Sequence, residues 1–599
     1  MTQRILIRRL VRRCAPHVLS LVAIVGCASS AKLPLAAVTG PTPTITAPRT
    51  SMEPIVNVAK VVGWSGHDHP VAAPGTAVAA FARKLEHPRW LYVLTNGDVL
   101  VAEANAPLRP DMRTGVQSWY LRLFMNEGGA GDASANRITL LRDADGDGVA
   151  ETRSVFLQHQ NSPMGMALVG NMLYVANTDA IVRFPYTADQ LEIAASPTKI
   201  TDLPAGTINH HWERGLVASA DGSKLYVSVG SNSDWGERGM ENEVERAGIL
   251  EVDIRTGARR VFASGLRNPM GMVWLPETGE LWTAVSERKG LGSDVPPDYM
   301  TAVKDGGFYG WPYSYYGAHL DPRVTPQRPD LVAKALVPDY ALGPHTASVG
   351  LAYARGSSLP SRFNNGMIVS QNGSWNRIPR SGYRVVFVPF TNGKPSGQPS
   401  VLLTGFLNDD DNAQGRPFGV AIDKKGGVLV ADDAGNTIWR VTGTTPTVAA
   451  AANFTSTPSM LQRFAVQVDV AERRGMKVGR QSGGQSVDRR CIDANATPNA
   501  RFGDFAIAGI PLYASTWQQR QGNLVFKPTH PEPGSPLIVR AELLDGSMTP
   551  VEYRSPSLTG SVAEQTAVYA VTMQLPRKGD WMVTAEAGMS FGCFLYTLR

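Results

Sequence analysis

Cysteine is scarce: four in 599 residues. No Cys-x-x-Cys-His stretch exists, which excludes a covalently attached c-type haem. Cys14 and Cys27 fall in an N-terminal leader, leaving Cys491 and Cys593 near the C-terminus. In an exported chain such a pair reads as one disulfide, the alternative being two buried free thiols. A true positive excess is also missing. The formal net charge of +6 includes Arg4, Arg8, Arg9, Arg12 and Arg13, and the remainder carries only +1. Nucleic acid is therefore not an expected partner. Long apolar runs are absent too. The longest near the start, Val18 to Val25, is too short to span a bilayer but suits the apolar stretch of an export signal. It ends Ile24-Val25-Gly26-Cys27, resembling a bacterial lipoprotein box in which the Cys is lipidated. The expected location is the periplasmic face of the cell envelope, with the membrane reached through the N-terminal lipid alone.

What the chain does have is glycine (59) and proline (42), spread among short apolar runs. One phrase recurs six times: an apolar strand, usually begun by glycine, then a turn, then a second apolar strand. The second strands start at Val99, Leu173, Leu225, Leu281, Met367 and Val428, in steps of 52 to 86 residues. A strand-rich repeat of that size marks a propeller with one repeat per blade. The expectation is an all-β chain: a signal over 1–27, a tether and N-terminal extension over 28–77, a six-bladed β-propeller over 78–444, a linker over 445–459 and a smaller β-sandwich over 460–599.

Several segments could carry chemistry. Asp143, Asp145 and Asp147 alternate around Gly146, with Glu151 following, like the opening of an EF-hand-type calcium loop. Ser154 stands at its twelfth position in place of Glu, and a plain Asp/Gly hairpin turn is the alternative. His210-His211 before the third blade could supply a base, a metal ligand or packed rings. Arg267-Asn268 stands before the fourth inner strand, where an Arg either clamps a carboxylate or binds backbone carbonyls. The 287–311 loop offers Glu287 and Asp294 beside flexible backbone, a setting that suits a hard cation or merely solvated acids. Asn372, Arg377, Gln414 and Arg416 flank inner strands and could face the channel or solvent.

Together these segments resemble the pyrroloquinoline quinone (PQQ)-dependent soluble sugar dehydrogenases, most closely the L-sorbosone dehydrogenase type, from about His87 to Val441. The likeness is carried by Pro88-Arg89-Trp90-Leu91-Tyr92-Val93, Asn136-Arg137-Ile138-Thr139-Leu140-Leu141-Arg142-Asp143, Arg267-Asn268-Pro269, Gly306 to Tyr313 and Gly373-Ser374-Trp375-Asn376-Arg377. The resemblance implies a six-bladed propeller with PQQ over its channel on a bound calcium. It implies His211 as the base that removes a proton from a sugar hydroxyl while hydride passes to the quinone, and Arg267, Asn268, Thr346 and Arg416 as cofactor contacts. The Glu287–Asp294 loop aligns with the segment that gives backbone carbonyls to the cofactor-bound calcium. The chain departs from the pattern at Asn372, where relatives carry Lys or His, and at Gln414, near which glucose-oxidising relatives carry a second Arg; Arg377 is the compensating cation nearby. The implied partners are a small sugar or aldehyde and a separate electron acceptor, a cytochrome or a quinone. A calcium-dependent propeller hydrolase of the lactonase kind and a non-catalytic carbohydrate-binding envelope module are the competing readings.

Overall fold

Short apolar runs rich in Val, Leu and aromatic residues fold as strands of three to eight residues, and four such strands make a blade. The computed structural model describes residues 30–49, 55–66, 68–107, 125, 127–129, 131–444 and the strands lying between 492 and 598. The signal and lipobox (1–27), Cys491 with its expected disulfide, and the 445–459 linker lie outside the described residues.

Six antiparallel sheets are built in sequence order. Their first strands are Pro88–Val93, Met166–Val169, Leu216–Ala218, Pro269–Trp274, Ser348–Tyr353 and Pro417–Ile422. Each of these touches the first strand of the next blade, and the sixth returns to the first, so the ring is closed. Closure is also made at the rim, because the fourth strand of blade 6 is Thr76–Ala82, drawn from before blade 1 and paired with Thr437–Gly443. The rest of the core lies between blades. Trp90, Leu100, Ile138 and Phe156 of blade 1 meet Leu173 and Val175 of blade 2, all buried. Trp439, wholly buried, packs edge-on to Trp64 while both indoles donate to Asp432 Oδ2 at 3.0 and 2.6 Å.

The repeated glycine has a direct structural cause. A Cβ built at Gly165 would sit 2.3 Å from Leu216 N, at Gly215 2.2 Å from Met270 O, and at Gly271 2.6 Å from Val349 O. At Gly350 it would lie 2.3 Å from Phe418 O, and at Gly419 2.5 Å from Arg89 O. Each glycine of the inner ring thus meets the backbone of the next blade, and no side chain fits between. Register shifts fall beside this contact in blades 1, 4, 5 and 6, and such bulges re-aim the residues at the strand start.

The 28–77 tether expectation needs correcting. Thr39–Gly40 adds an edge strand to blade 4 and Val71–Ala72 one to blade 5. Between them the chain crosses one end of the ring, where Arg49 N donates to Leu291 O, Asn57 N to Trp375 O and Val61 N to Glu127 O. Small Ala, Pro and Thr residues look like a linker in composition, yet they are also the residues that lie flat on a loop surface. The C-terminal part forms two sheets of five and four strands, as expected of a β-sandwich. Leu537, Val539, Ala541 and Leu543 alternate inward on one sheet, and Tyr569 and Val571 on the other.

Gly215→Ala tests the ring contact. The added methyl has backbone on its far side and cannot be relieved by a rotamer change, so we expect a cost of about 1–3 kcal/mol. It would be read as a lower chemical-denaturation midpoint; an unchanged midpoint would mean that the inner strands are not held at this spacing.

Candidate functional site

In each blade the first strand begins, and the second ends, at the same end of the channel. Hydrogen bonds confirm the pairing: Ser231 N donates to Arg267 O, Ser286 N to Asn268 O, Gly373 N to Thr346 O and Asp433 N to Arg416 O. His211, Arg267, Asn268, Thr346, Asn372 and Arg416 therefore lie at one mouth, though they come from four blades.

His211 is held tightly. Its Nδ1 lies 2.6 Å from Ser231 O. A carbonyl can only accept, so Nδ1 carries the proton of the neutral ring and the Nε2 lone pair is left over. The Ser231 turn is itself fixed, because Glu243 accepts from Asn232 N at 2.8 Å and from Ser233 Oγ. Arg214 and Arg246 both donate to His211 O, at 2.8 and 2.7 Å. Burial, then the Arg267 guanidinium and the neighbouring His210, hold the His211 pKa well below the usual imidazole value against the raising effect of the Ser231 carbonyl. At neutral pH the ring is an uncharged base. Asn268 stands beside it, and Gly230 makes that approach possible: a Cβ there would lie 2.1 Å from Asn268 Oδ1 and 2.6 Å from His211 Cβ. Asn268 Oδ1 is buried with no hydrogen-bond donor, and Arg267 Nε is buried with no acceptor.

The Arg267 guanidinium donates to Asp234 Oδ1 at 2.6 Å and to Glu287 O at 2.9 Å. Burial raises the Asp234 pKa, but Arg267 and Lys289 outweigh it and hold it below the ordinary carboxylate range. Lys289 adds its amide to Asp234 Oδ1 at 3.2 Å and places Nζ 5.7 Å from the centre of the Trp375 ring. Trp375 touches Gly128, whose carbonyl takes Arg416 NH1 at 2.7 Å. Arg416 also binds Asp433 at 3.1 Å, Asp433 binds Arg89 at 3.3 Å, and Arg89 lies 5.4 Å over the ring of Trp212, next to His211. The contacts run around the mouth and return to their start. Asp234, Lys289, Arg89 and Asp433 were not singled out from the sequence as site residues. Their signal was present, in that Asp433 directly follows a second strand and Asp234 lies five residues after one, but acids after strands are common in turns.

Other expectations shift. Thr346 Oγ1, fully buried, donates to Asp298 Oδ2 at 3.0 Å, and Asp298 Oδ1 accepts from Glu287 N at 2.9 Å. Burial pushes the Asp298 pKa up to about 6. Asp294 does not face the mouth: its carboxylate takes Lys32 N at 2.9 Å and Leu33 N at 3.3 Å. Glu287 Oε2 takes Arg288 Nε at 3.0 Å, a fully buried ion pair. Neither side chain is placed to hold a cation at the mouth. Arg377 is spent on the carbonyls of Ser293 (2.9 Å) and Pro379 (2.8 Å), so it does not replace the missing cations. Asn372 and Gln414 likewise donate to Pro417 O (3.4 Å) and Gly405 O (3.2 Å). In each case a polar side chain at a strand start found a nearer backbone carbonyl than any ligand would offer.

Asp143, Asp145, Asp147 and Glu151 do converge, with one oxygen from each within 4.8 Å of the others. They occupy the turn between the third and fourth strands of blade 1, at the end of the channel opposite His211. Among the described residues no helix is long and apolar enough to cross a membrane.

Comparison with known proteins agrees with the architecture. A family described as TrAA12-like matches residues 131–293 and 331–444. An uncharacterized protein of Borreliella burgdorferi (strain ATCC 35210 / DSM 4680 / CIP 102532 / B31) is 25% identical over 296 residues, 47% of this chain and 75% of that protein. The holo form of the PQQ domain of pyranose dehydrogenase from Coprinopsis cinerea superposes with a TM-score of 0.50 at 19% identity, over 64% of this chain and 100% of that one. The iodide structure of a Trichoderma reesei family AA12 carbohydrate-active enzyme gives a TM-score of 0.51 at 18% identity, over 63% and 98%. At such identities the likeness is one of fold, and the fold this chain shares with these structures is that of its propeller.

Proposed function

We propose that this chain is a PQQ-dependent oxidoreductase that removes hydride from a sugar or sugar-derived aldehyde, of the aldose or sorbosone kind, and passes the electrons to a separate cytochrome or quinone. The observation that carries the reading is an imidazole held neutral, with Nε2 uncommitted, inside a ring of cations at the axial mouth. The structural neighbours support it, since one is the PQQ domain of a sugar dehydrogenase.

The donors at the mouth suit a flat quinone with three carboxylates. Arg267, Lys289 and Arg416 offer positive charge, Trp375 offers a planar face, and the buried Asn268 Oδ1 and Arg267 Nε still want partners. PQQ bound there would supply the hydride acceptor. The protein would do the rest. Ser231 O fixes the ring tautomer, and His211 Nε2 takes the proton of the substrate hydroxyl. Asp234 and Asp433 keep the guanidinium planes in place, and Asp298 ties the Glu287 loop to Thr346. Asp294 is held by the Lys32 and Leu33 amides and Glu287 Oε2 by Arg288, while Glu287 Oε1 is buried without a partner; among the described residues no set of carboxylates gathers at this mouth for a cofactor calcium, and no step depends on one. The same fact disfavours a lactonase-like site, which needs carboxylate ligands to calcium in the channel. Calcium belongs in this proposal at the Asp143–Glu151 turn, as a structural ion, and the chain is an exported lipoprotein at the periplasmic face of the envelope.

Purified full-length protein mixed with PQQ should show a bound-cofactor absorption change and then reduce dye with aldoses or sorbosone; no spectral change on mixing would sink the reading. His211→Asn should lower kcat by about 10²–10⁴-fold while PQQ still binds, and equal turnover would remove His211 from the chemistry. Its depressed pKa sets a sign for the pH profile. The base is lost only on protonation, so kcat/KM should hold as pH falls through the ordinary imidazole value of 6.5 and be lost only well below it; an acid limb at or above 6.5 would contradict the described environment. Calcium should raise the thermal midpoint of the wild type but not of the Asp145→Asn/Asp147→Asn double variant, and an equal rise in both would place the ion elsewhere.

A further inference from the structure

The mouth holds several cations, and all but one are spent on protein acceptors. Arg267 has Asp234 and Glu287 O, Arg416 has Asp433 and Gly128 O, and Arg89 has Asp433 and Ala104 O. Arg377 has the carbonyls of Ser293 and Pro379. Lys289 differs. Among the described residues its Nζ meets no carboxylate or carbonyl at hydrogen-bonding distance, and its contact is the face of Trp375. The backbone beneath it is fixed twice: its amide donates to Asp234, and its carbonyl accepts from Arg323 NH1 at 2.7 Å. The side chain is exposed to solvent, yet protein makes up much of its surroundings, and that loss of hydration lowers its pKa while Asp234 opposes the shift. An ammonium in that position gains more from an anionic ligand than an ammonium on a convex surface does, because less water competes. Trp375 is set as its floor. Its carbonyl takes Asn57 N, and its ring edge lies against Gly128, where a Cβ would come within 3.2 Å.

From this we infer that Lys289 and Trp375 form the seat of a planar polycarboxylate, the ammonium pairing with one ligand carboxylate and the indole stacking on the ligand ring. The inference rests on the PQQ reading and adds to it the cation that positions 372 and 414 lack. Asn372 and Gln414 are turned to backbone carbonyls, so the charge for a third carboxylate comes from blade 4 and not from blades 5 and 6. Lys289 acts as a binding residue, and no proton transfer is assigned to it.

The test is equilibrium PQQ binding to the full chain, read by tryptophan fluorescence quenching at low and moderate salt. Wild type should bind, Lys289→Met should bind about tenfold or more weakly with a shallower salt dependence, and Lys289→Arg should recover most of the loss. Equal binding by wild type and Lys289→Met overturns this inference and leaves the PQQ reading standing. No binding by wild type overturns the reading and the inference together. A second measurement needs no variant: lysine-directed labelling with mass spectrometry should show Lys289 protected by PQQ. Labelling at Lys289 that is unchanged by saturating PQQ overturns the seat even if Lys289→Met fails to fold.

Discussion

The distance between neighbouring inner strands governs everything else in this propeller. Five of the six junctions place a glycine against the backbone of the next blade, at separations that a single methyl group would violate. Close approach there draws the six strand starts onto a narrow ring, and the bulges beside the glycines turn the preceding residues toward the axis. His211, Arg267, Thr346 and Arg416 each stand one to five residues before an inner strand. Their convergence therefore follows from backbone packing, without any need for direct contact between them.

A ring that gathers side chains this way also gathers charge, and the mouth shows how that is tolerated. Arg267, Arg416, Arg89 and Lys289 crowd one end of the channel. Two carboxylates, the half-buried Asp234 and the buried Asp433, stand among them and bind the guanidinium groups directly. The effect is not full neutralisation. Each guanidinium keeps its orientation, Arg267 Nε remains unpartnered, and Lys289 keeps its charge for a ligand. His211 is shaped by the same packing: burial is the main cause that keeps its imidazole unprotonated, and the positive field of Arg267 adds to it.

The sequence was readable where local rules dominate. Second strands such as Leu173–Ala176 and Val428–Ala431 are apolar, short and turn-bounded, so the blade count could be made from them alone. The glycine at five of the six inner strands was visible too, although its reason, the neighbouring backbone, lies 50 or more residues away. Within the candidate site, His211 and Arg267 were identifiable because their segments combine a turn with an unusual polar pair. Partner acids were not, since Asp234 and Asp433 look like any strand-ending turn residue until the ring closes. Glu287, Asp294 and Arg377 misled for the opposite reason. Acids and an Arg in a Gly-rich loop look available, but the chain before the propeller folds back over that loop and Asp294 takes its amides. Nothing in the composition of residues 30–49 signals this docking.

The acidic turn of blade 1 shows how the two ends of the channel divide their work. Its partners come from blade 6: Lys425 Nζ lies 3.2 Å from Asp143 Oδ2, and Ala150 N donates to Phe81 O of the closing strand. This is the seam where the last blade is completed by residues from before the first, and it joins chain segments more than 300 residues apart. Loop-closure entropy is largest for such a contact, so it gains most from added cross-links. A divalent ion among Asp143, Asp145, Asp147 and Glu151 would stiffen the seam from outside, with Lys425 as the charge that stands in when the ion is absent. The mouth at the other end needs the opposite character, open and cationic. The acids stand on one face and the exposed ammonium on the other, so the two clusters of opposite charge do not neutralise each other across the channel.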